Sequence, residues 1–318
     1  MRTDWHLRSD PFPFVGKSLS PDNDPGQLRY YLDFYDWGEA EMFTGLAEDG
    51  TVRVRPLPGV SPITVIISGE AGSGRSSIKN LLVYQLKQGR DPATIVLDVP
   101  VPPSPTRQDV ATVLSTKLMF AVRDRNRDLK DRVKETFDTW KDMSASDPNA
   151  EMLFQLLADD LRDGLPGAEV IVILDASSHN LTRDAARATI AMLRGFATYV
   201  IMSLTNVEDA RFIKDSGDAG RPALIDAPYV DAPMIKLYVE RRLAAERAEG
   251  FRPVHAFFPF DPEAIDEMFE STSPEHRNTA SISVALSRLA SALRRKAASE
   301  GGAPPTISRA DMQAVLGG

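Results

Sequence analysis

The sequence predicts an α/β protein in which a parallel sheet carries a glycine-rich loop and a helical domain follows. Three observations support this. An apolar run at residues 63–67 precedes the loop, and a segment with helical spacing follows it. A second apolar run, 170–174, ends at Asp175, as expected for a central parallel strand. From Asp231 onward the pattern is helical. We therefore divide the 318 residues into a leader with one helix (1–60), an α/β core (61–230) and a helical domain (231–318).

The glycine-rich loop has the sequence Ser-Gly-Glu-Ala-Gly-Ser-Gly-Arg-Ser-Ser at residues 68–77. It differs by one letter from G-x-x-x-x-G-K-[S/T], the P-loop pattern in which backbone N–H groups and a helix N-terminus hold phosphates. The alternative is a glycine-rich turn without a ligand. The residues expected to contact the nucleotide are Gly69, Glu70, Ala71, Gly72, Ser73, Gly74, Arg75, Ser76 and Ser77.

The differing letter is Arg75. A P-loop lysine is a compact ammonium that fits between the β- and γ-phosphates, whereas arginine is a longer planar fork that bonds oxygens bidentately. We expect the loop still to bind nucleotide, but the arrangement of groups around the β- and γ-phosphates that hydrolysis requires to change. Ser76 still offers its hydroxyl to Mg²⁺.

Asp175 ends its strand where a carboxylate can reach the Mg²⁺ shell, and the alternative is an ordinary turn aspartate. The next residue is Ala176, whose methyl group cannot accept a proton or orient water. His179 is a weaker candidate base, because a single histidine at such a turn more often caps a helix or faces solvent.

The remaining elements alternate as a parallel sheet requires. The strand at 198–204 ends in Thr205–Asn206, and Asn206 could reach a γ-phosphate or, alternatively, cap the helix at 207–214. A Gly/Asp loop at 215–222 contains Arg221. The other predicted strands are 51–55, 93–99 and 224–225. The predicted helices are 27–42, 78–86, 107–123, 127–142, 150–162, 181–194, 207–214, 232–247, 262–271, 279–296 and a last one beginning near 306.

Composition limits the class of function. The chain has no cysteine and four histidines, which excludes disulfides and thiolate metal sites. A net charge of −8 does not favour broad DNA binding, although DNA contact through a local basic face stays possible. No apolar run approaches the ~20 residues that span a bilayer, and the N-terminus lacks the apolar core of a secretory signal. We expect a cytoplasmic protein that does not bind membranes.

The order of these features resembles the AAA+ ATPases. It is most similar to the group of origin-recognition initiators, transposition-regulator ATPases and ExeA-type secretion ATPases, and the resemblance covers residues 5–316. It implies a P-loop NTPase core with a C-terminal α-helical lid, binding ATP and Mg²⁺. The residues that it assigns are Val15 and Gly16 at the adenine, Gly69, Gly74, Arg75 and Ser76 as Walker A, Asp175 as Walker B, Asn206 as sensor 1, Arg221 as arginine finger and Arg277 as sensor 2.

Two departures from the family pattern, Arg75 and Ala176, fall where hydrolysis happens. They indicate an ATP-binding protein with weak or no turnover that acts as an oligomerising switch or scaffold, self-associating through the nucleotide site and binding a protein partner. One alternative is an active motor ATPase on DNA or protein, in replication, transposition, secretion or defence. Another is an interaction protein without nucleotide, which the intact glycines and Asp175 argue against. Arg221 and Arg277 could also be solvated surface arginines.

Overall fold

The structure is a computed structural model, and it divides the chain into two compact units. Unit 1 comprises residues 1–34, 70–80 and 227–318, and unit 2 comprises residues 35–69 and 81–226. The residues that the structure describes are 5–13, 17–31, 44–46, 52–54, 62–88, 94–101, 106–122, 131, 134–135, 138, 149–175, 182–216, 222–226, 231–271, 282–298 and 306–317.

Unit 2 is built on a five-stranded parallel sheet of order β4-β5-β6-β3-β7. The strands within the described residues are β1 Thr44–Leu46, β2 Val52–Val54, β3 Ile63–Ser68, β4 Ile95–Pro100, β5 Val170–Asp175, β6 Tyr199–Leu204 and β7 Ala223–Asp226. The inner strands β3, β5 and β6 are almost entirely buried, which explains their near-continuous apolar sequences. Because the strands are parallel, their carboxyl ends lie at one edge of the sheet.

One face of this sheet packs against helices that follow the strands in the chain. The helices within the described residues are α1 Arg75–Lys87, α2 Arg107–Val122, α3 Ala150–Gly164, α4 Arg183–Leu193, α5 Val207–Asp215, α6 Ala232–Glu246, α7 Pro262–Glu270, α8 Ile282–Ala298 and α9 Arg309–Leu316. Helix α2 contacts β4, α3 and α4, while α5 contacts β3, β6 and β7. Leu97, Val172, Met202 and Ile66 belong to the core that these contacts enclose. None of the described helices is long and apolar enough to cross a membrane.

The helices of unit 1 have a core of their own. Helix α7 contacts α6, α8 and α9, and α8 also contacts α9. Phe260, Met268, Leu289 and Met312 are buried in this cluster, together with Trp5 from the leader. The predicted fold class, a parallel sheet core with a C-terminal helical domain, is confirmed.

Buried polar groups join the leader to helix α6 within unit 1. The hydroxyl of Tyr30 donates to the Glu246 carboxylate, which Arg29 also contacts at 2.7 Å. The guanidinium of Arg242 lies 4.5 Å from the Tyr30 ring centroid and 4.9 Å from that of Tyr238. Burial and the hydrogen bond to Glu246 raise the pKa of the Tyr30 hydroxyl. The leader is therefore tied to the helical domain by charge as well as by apolar packing.

The last helix begins with a capping box. The Ser308 hydroxyl accepts a hydrogen bond from the Asp311 N–H, and the Asp311 carboxylate accepts one from the Ser308 N–H. Lys296 of α8 donates to the same carboxylate at 2.9 Å. Burial raises the pKa of Asp311, but the hydrogen bonds from Ser308 and Lys296 outweigh it, so the pKa lies below its ordinary value. These contacts fix the start of α9 against α8.

The leader differs from its prediction. The helix expected over 27–42 is a 3-10 helix at Pro25–Tyr30, capped by Asp24, and Tyr31 is already extended with ψ 139°. All of residues 32–43 lie outside the described residues, as does most of the helix predicted over 127–142. The strand predicted at 51–55 is β2, whose antiparallel partner β1 the sequence analysis missed.

Candidate functional site

The glycine-rich loop follows β3 directly and leads into α1. Gly69, Gly72 and Gly74 have φ values of 145°, 82° and 94°, in the region that side chains with a Cβ rarely adopt. The loop closes on itself through the Ser73 N–H, which donates to Glu70 O at 3.1 Å. These glycines therefore set the backbone path and are not interchangeable with other small residues.

Several polar groups of the loop have no acceptor within the described part of the chain. The N–H groups of Gly72, Gly74 and Ser76 make no hydrogen bond there, whereas Ser77 N–H and Ile78 N–H donate to Gly74 O. The hydroxyl of Ser73 is buried and also lacks a partner among the described residues. Free N–H groups at a helix N-terminus attract anions, because the helix dipole adds to them. The loop therefore has the donors that a phosphate group requires.

Arg75 and Ser76 open helix α1, but their side chains differ in exposure. Arg75 is buried, with 4% of its surface exposed, whereas Ser76 is half-buried. An arginine in this position places a bulky planar cation within the protein where the usual pattern has a lysine. The Ser76 hydroxyl is the oxygen donor that the pattern provides for Mg²⁺.

The leader contacts the first turn of α1 through Leu19 and Tyr31. The Leu19 N–H donates to Ser77 Oγ at 3.0 Å, and Asn80 Nδ2 donates to Leu19 O at 2.8 Å. The Tyr31 hydroxyl lies 2.9 Å from Ser77 O and 3.1 Å from Leu19 O. Ser77, expected to contact nucleotide, thus uses its hydroxyl to hold the leader. The sequence analysis missed Tyr31 and Asn80, since neither belongs to a motif.

At the carboxyl edge of the sheet, β6 lies between β3 and β5. Asp175 pairs with Ser203 across β5 and β6, and Asn206 follows β6 by two residues. The Asn206 side chain is the N-cap of α5, because its Oδ1 accepts from the N–H groups of Glu208 and Asp209. The cap uses only the oxygen, so a contact with phosphate would have to come from Nδ2. The structure thus places Asn206 two residues beyond the end of β6, the strand that pairs with the Asp175 strand, and its sensor role stays a prediction.

A second pair of edge residues lies on β3 and β7. The buried Ser68 hydroxyl donates to one oxygen of Asp226, and Arg211 of α5 lies 3.4 Å from the other. Ser68 is the residue immediately before the glycine-rich loop. The pair therefore fixes the end of β3, and with it the point from which the loop leaves the sheet. Sequence analysis missed this pair because its members are 158 positions apart.

Four predicted site residues lie outside the described residues. They are Val15, Gly16, Arg221 and Arg277. Ala176 and His179, which bear on the catalytic base, lie outside them as well. Their expected roles remain predictions.

No family model and no curated protein matches the sequence. Among solved structures, Cdc6p from Pyrobaculum aerophilum matches 97% of this chain and 70% of its own, with 14% identity and a TM-score of 0.52. The Aeropyrum pernix ORC2 protein in its ADP form covers 80% of this chain and 62% of its own, with 12% identity and a TM-score of 0.48. The Aeropyrum pernix ORC1 protein in complex with DNA covers 81% and 60%, with 13% identity and a TM-score of 0.44.

The chain therefore has the fold of the AAA+ P-loop ATPases. The similarity to Cdc6p, which extends over nearly the whole chain, confirms at the level of fold the resemblance to the origin-recognition group. At 14% identity it shows the fold alone.

Two substitutions at one position separate the capping role of Asn206 from its predicted sensor role. Asn206→Ala removes the cap and should lower the free energy of unfolding by about 1 kcal/mol. Asn206→Asp keeps the capping oxygen and should change it by a few tenths of that amount, but it replaces the Nδ2 donor by a charge that repels a γ-phosphate. Urea titrations measure the stability, and calorimetry measures the affinities for ATP and ADP. We expect Asn206→Asp to lower the affinity for ATP more than the affinity for ADP. Equal effects on the two affinities would contradict the sensor role.

Proposed function

We propose that this protein binds ATP with Mg²⁺, hydrolyses it weakly or not at all, and uses the bound nucleotide to control its self-association as a switch or scaffold. The observation that carries the proposal is the loop between β3 and α1. Its three glycines have positive φ, and the N–H groups of Gly72, Gly74 and Ser76 have no acceptor in the described part of the chain. A loop of this shape at a helix N-terminus is suited to phosphate oxygens.

The donor set supports Mg²⁺ as the accompanying ion. Mg²⁺ prefers hard oxygen ligands and keeps several waters, so one hydroxyl, one carboxylate near its shell and the phosphates suffice. Ser76 supplies the hydroxyl and Asp175 the carboxylate. When bound, the ion neutralises charge on the β- and γ-phosphates. The adenine-side contacts proposed for Val15 and Gly16 are supported by Leu19, which follows Gly16 by three residues and is hydrogen-bonded to Ser77 and Asn80 at the start of α1.

The chemistry of two residues supports weak hydrolysis. Ala176 follows Asp175 where related ATPases have a glutamate, and it can neither accept a proton nor orient the attacking water. Loss of a positioned base costs on the order of 10²–10⁴ in rate. Arg75 replaces the lysine that bridges the β- and γ-phosphates, and its planar fork fits that position differently. Nucleotide binding requires neither a glutamate at position 176 nor a lysine at position 75, because the backbone N–H groups hold the phosphates.

Self-association is proposed through Arg221. The residue precedes β7 in a Gly/Asp loop of the sequence, and a guanidinium can bond two phosphate oxygens of a neighbouring subunit's nucleotide. ATP would then favour a head-to-tail contact that ADP does not support. The effect cannot exceed the difference in nucleotide affinity between the free and the assembled protein. Arg277 is proposed as a second contact with the nucleotide, from the helical domain.

Nucleotide binding is tested with two glycine variants. Gly74→Ala places a Cβ where φ is 94°, so the loop must change its path and lose hydrogen bonds to phosphate. One hydrogen bond to a charged group is worth about 1.5–3 kcal/mol, so ATP affinity should fall at least about tenfold. The control is Gly167→Ala, where φ is 81° and the space around the new Cβ is open. It carries a similar backbone strain outside the loop and should leave ATP affinity unchanged. Calorimetric titration showing no binding of ATP to the natural protein would refute the proposal.

Arg221→Ala tests the proposed assembly. We expect the natural protein to have a larger mass with ATP than with ADP or without nucleotide, and the variant to have the same mass in all three conditions. Association should change about ten- to a hundredfold, the worth of one charge-assisted pair. Light scattering measures the masses, and calorimetry checks that the variant still binds ATP. Equal assembly of the natural protein with and without ATP would contradict the role of Arg221.

A further inference from the structure

Two hydroxyl groups in the parallel sheet are buried without a hydrogen-bond partner among the described residues. They belong to Ser203 on β6 and Thr64 on β3, and each residue is 1% exposed. A buried hydroxyl has lost its hydrogen bonds to water, so it destabilises the fold unless a protein group replaces them. Alanine and valine would fill the same positions without that cost. The presence of a hydroxyl at each position therefore needs a reason.

The surroundings of Ser203 provide one. Ser203 pairs with Asp175 on one side and with Ile67 on the other. In turn Asp175 pairs with Pro100, and Ile67 with Ile225. Paired residues of parallel strands project to the same face, and neighbouring strands are about 4.8 Å apart. In this row of five residues, Asp175 and Ser203 are the two with polar side chains, and they are adjacent.

Thr64 has no such neighbour. It pairs with Val200 of β6, which pairs with Val172 of β5. Thr64 also lies four positions before the end of β3, away from the edge where Asp175 ends its strand. Thr64 is thus a buried hydroxyl of the same kind, in the same sheet, and the described residues in its row of paired residues include no carboxylate.

We propose that Ser203 is a positioning residue for the magnesium site. Its hydroxyl donates a hydrogen bond to one oxygen of Asp175 when the other oxygen is engaged by the hydrated Mg²⁺ of the bound nucleotide. This inference rests on the proposed function, in which Asp175 faces Mg²⁺. A hydroxyl group can rotate to meet a carboxylate that turns toward a metal, and carboxylates near metals are oriented by such outer hydrogen bonds.

The proposal predicts opposite effects on stability and on metal dependence. Ser203→Ala removes an unsatisfied hydroxyl, so the urea midpoint of the nucleotide-free protein should rise or stay equal. It also removes the group that orients Asp175, so the strengthening of ATP binding by Mg²⁺ should fall about tenfold, the lower end of the effect of losing an outer-shell partner. A purely structural role for Ser203 would leave that Mg²⁺ effect unchanged.

Three variants are compared by calorimetric titration with ATP, once with Mg²⁺ and once with EDTA. Thr64→Val is the matched control, since it removes a buried hydroxyl of the same sheet and should leave the ratio of the two affinities as in the natural protein. Ser203→Thr keeps a hydroxyl on a strand residue and should also retain the ratio, and it remains informative if Ser203→Ala fails to fold. Urea titrations of each variant without nucleotide give the stability.

The outcomes separate this inference from the proposed function. If the natural protein binds ATP more tightly with Mg²⁺ and Ser203→Ala keeps the full ratio, or Thr64→Val loses as much of it, the role of Ser203 is refuted while the proposed function stands. If the natural protein does not bind ATP, or binds it equally well with and without Mg²⁺, the proposed Mg²⁺ site fails and the role of Ser203 fails with it. If the ratio of ATP affinities with and without Mg²⁺ falls in Ser203→Ala but not in Thr64→Val or Ser203→Thr, the result supports both the role of Ser203 and the proposed function.

Discussion

The parallel pairing that places β6 between β3 and β5 is the constraint on which the candidate site depends. It aligns the ends of the strands, so the glycine-rich loop, Asp175 and Asn206 all follow the carboxyl edge of one sheet. This is the edge at which open α/β sheets bind ligands. The interior of the sheet is apolar, apart from Thr64 and a few polar side chains close to that edge. The residues of the candidate site therefore lie at the carboxyl ends of the strands, whereas the apolar residues that stabilise the sheet lie along their length.

The side chains that hold this edge in place include Ser68 and Asp226, which lie outside the family pattern, and Asn206, which the pattern assigns to the nucleotide. Ser68 and Asp226 join the ends of β3 and β7, and Asn206 caps α5. In unit 1, Ser77 and Tyr31 fasten the leader to the start of α1. The loop is thus anchored at both ends, while the N–H groups of Gly72, Gly74 and Ser76 have no acceptor among the described residues. We propose that the two departures from the family pattern, Arg75 and Ala176, affect hydrolysis rather than nucleotide binding.

The sequence predicted the central strands because β-branched runs bounded by glycine or aspartate have few other interpretations. It failed where the local pattern is weak or where long-range contacts decide. Thr44–Leu46 has no strand signature, and it becomes a strand through pairing with β2. Tyr31 lies in a segment with helical spacing, but it is extended and its hydroxyl bonds the start of α1. Ser203 is one polar residue in an apolar strand, and only its pairing with Asp175 distinguishes it.

The rate at which bound ATP is converted to ADP tests the central claim, which is that the protein binds ATP but hydrolyses it weakly. The natural protein is loaded with labelled ATP and Mg²⁺, free nucleotide is removed, and the bound nucleotide is separated by chromatography after increasing times. We predict that ATP is retained and converted to ADP far more slowly than about 1 per second, the low end of the usual enzyme range. Arg75→Lys combined with Ala176→Glu should speed conversion by about 10²–10⁴. Conversion by the natural protein at about 1 per second or faster would contradict the account, as would a failure to retain any nucleotide.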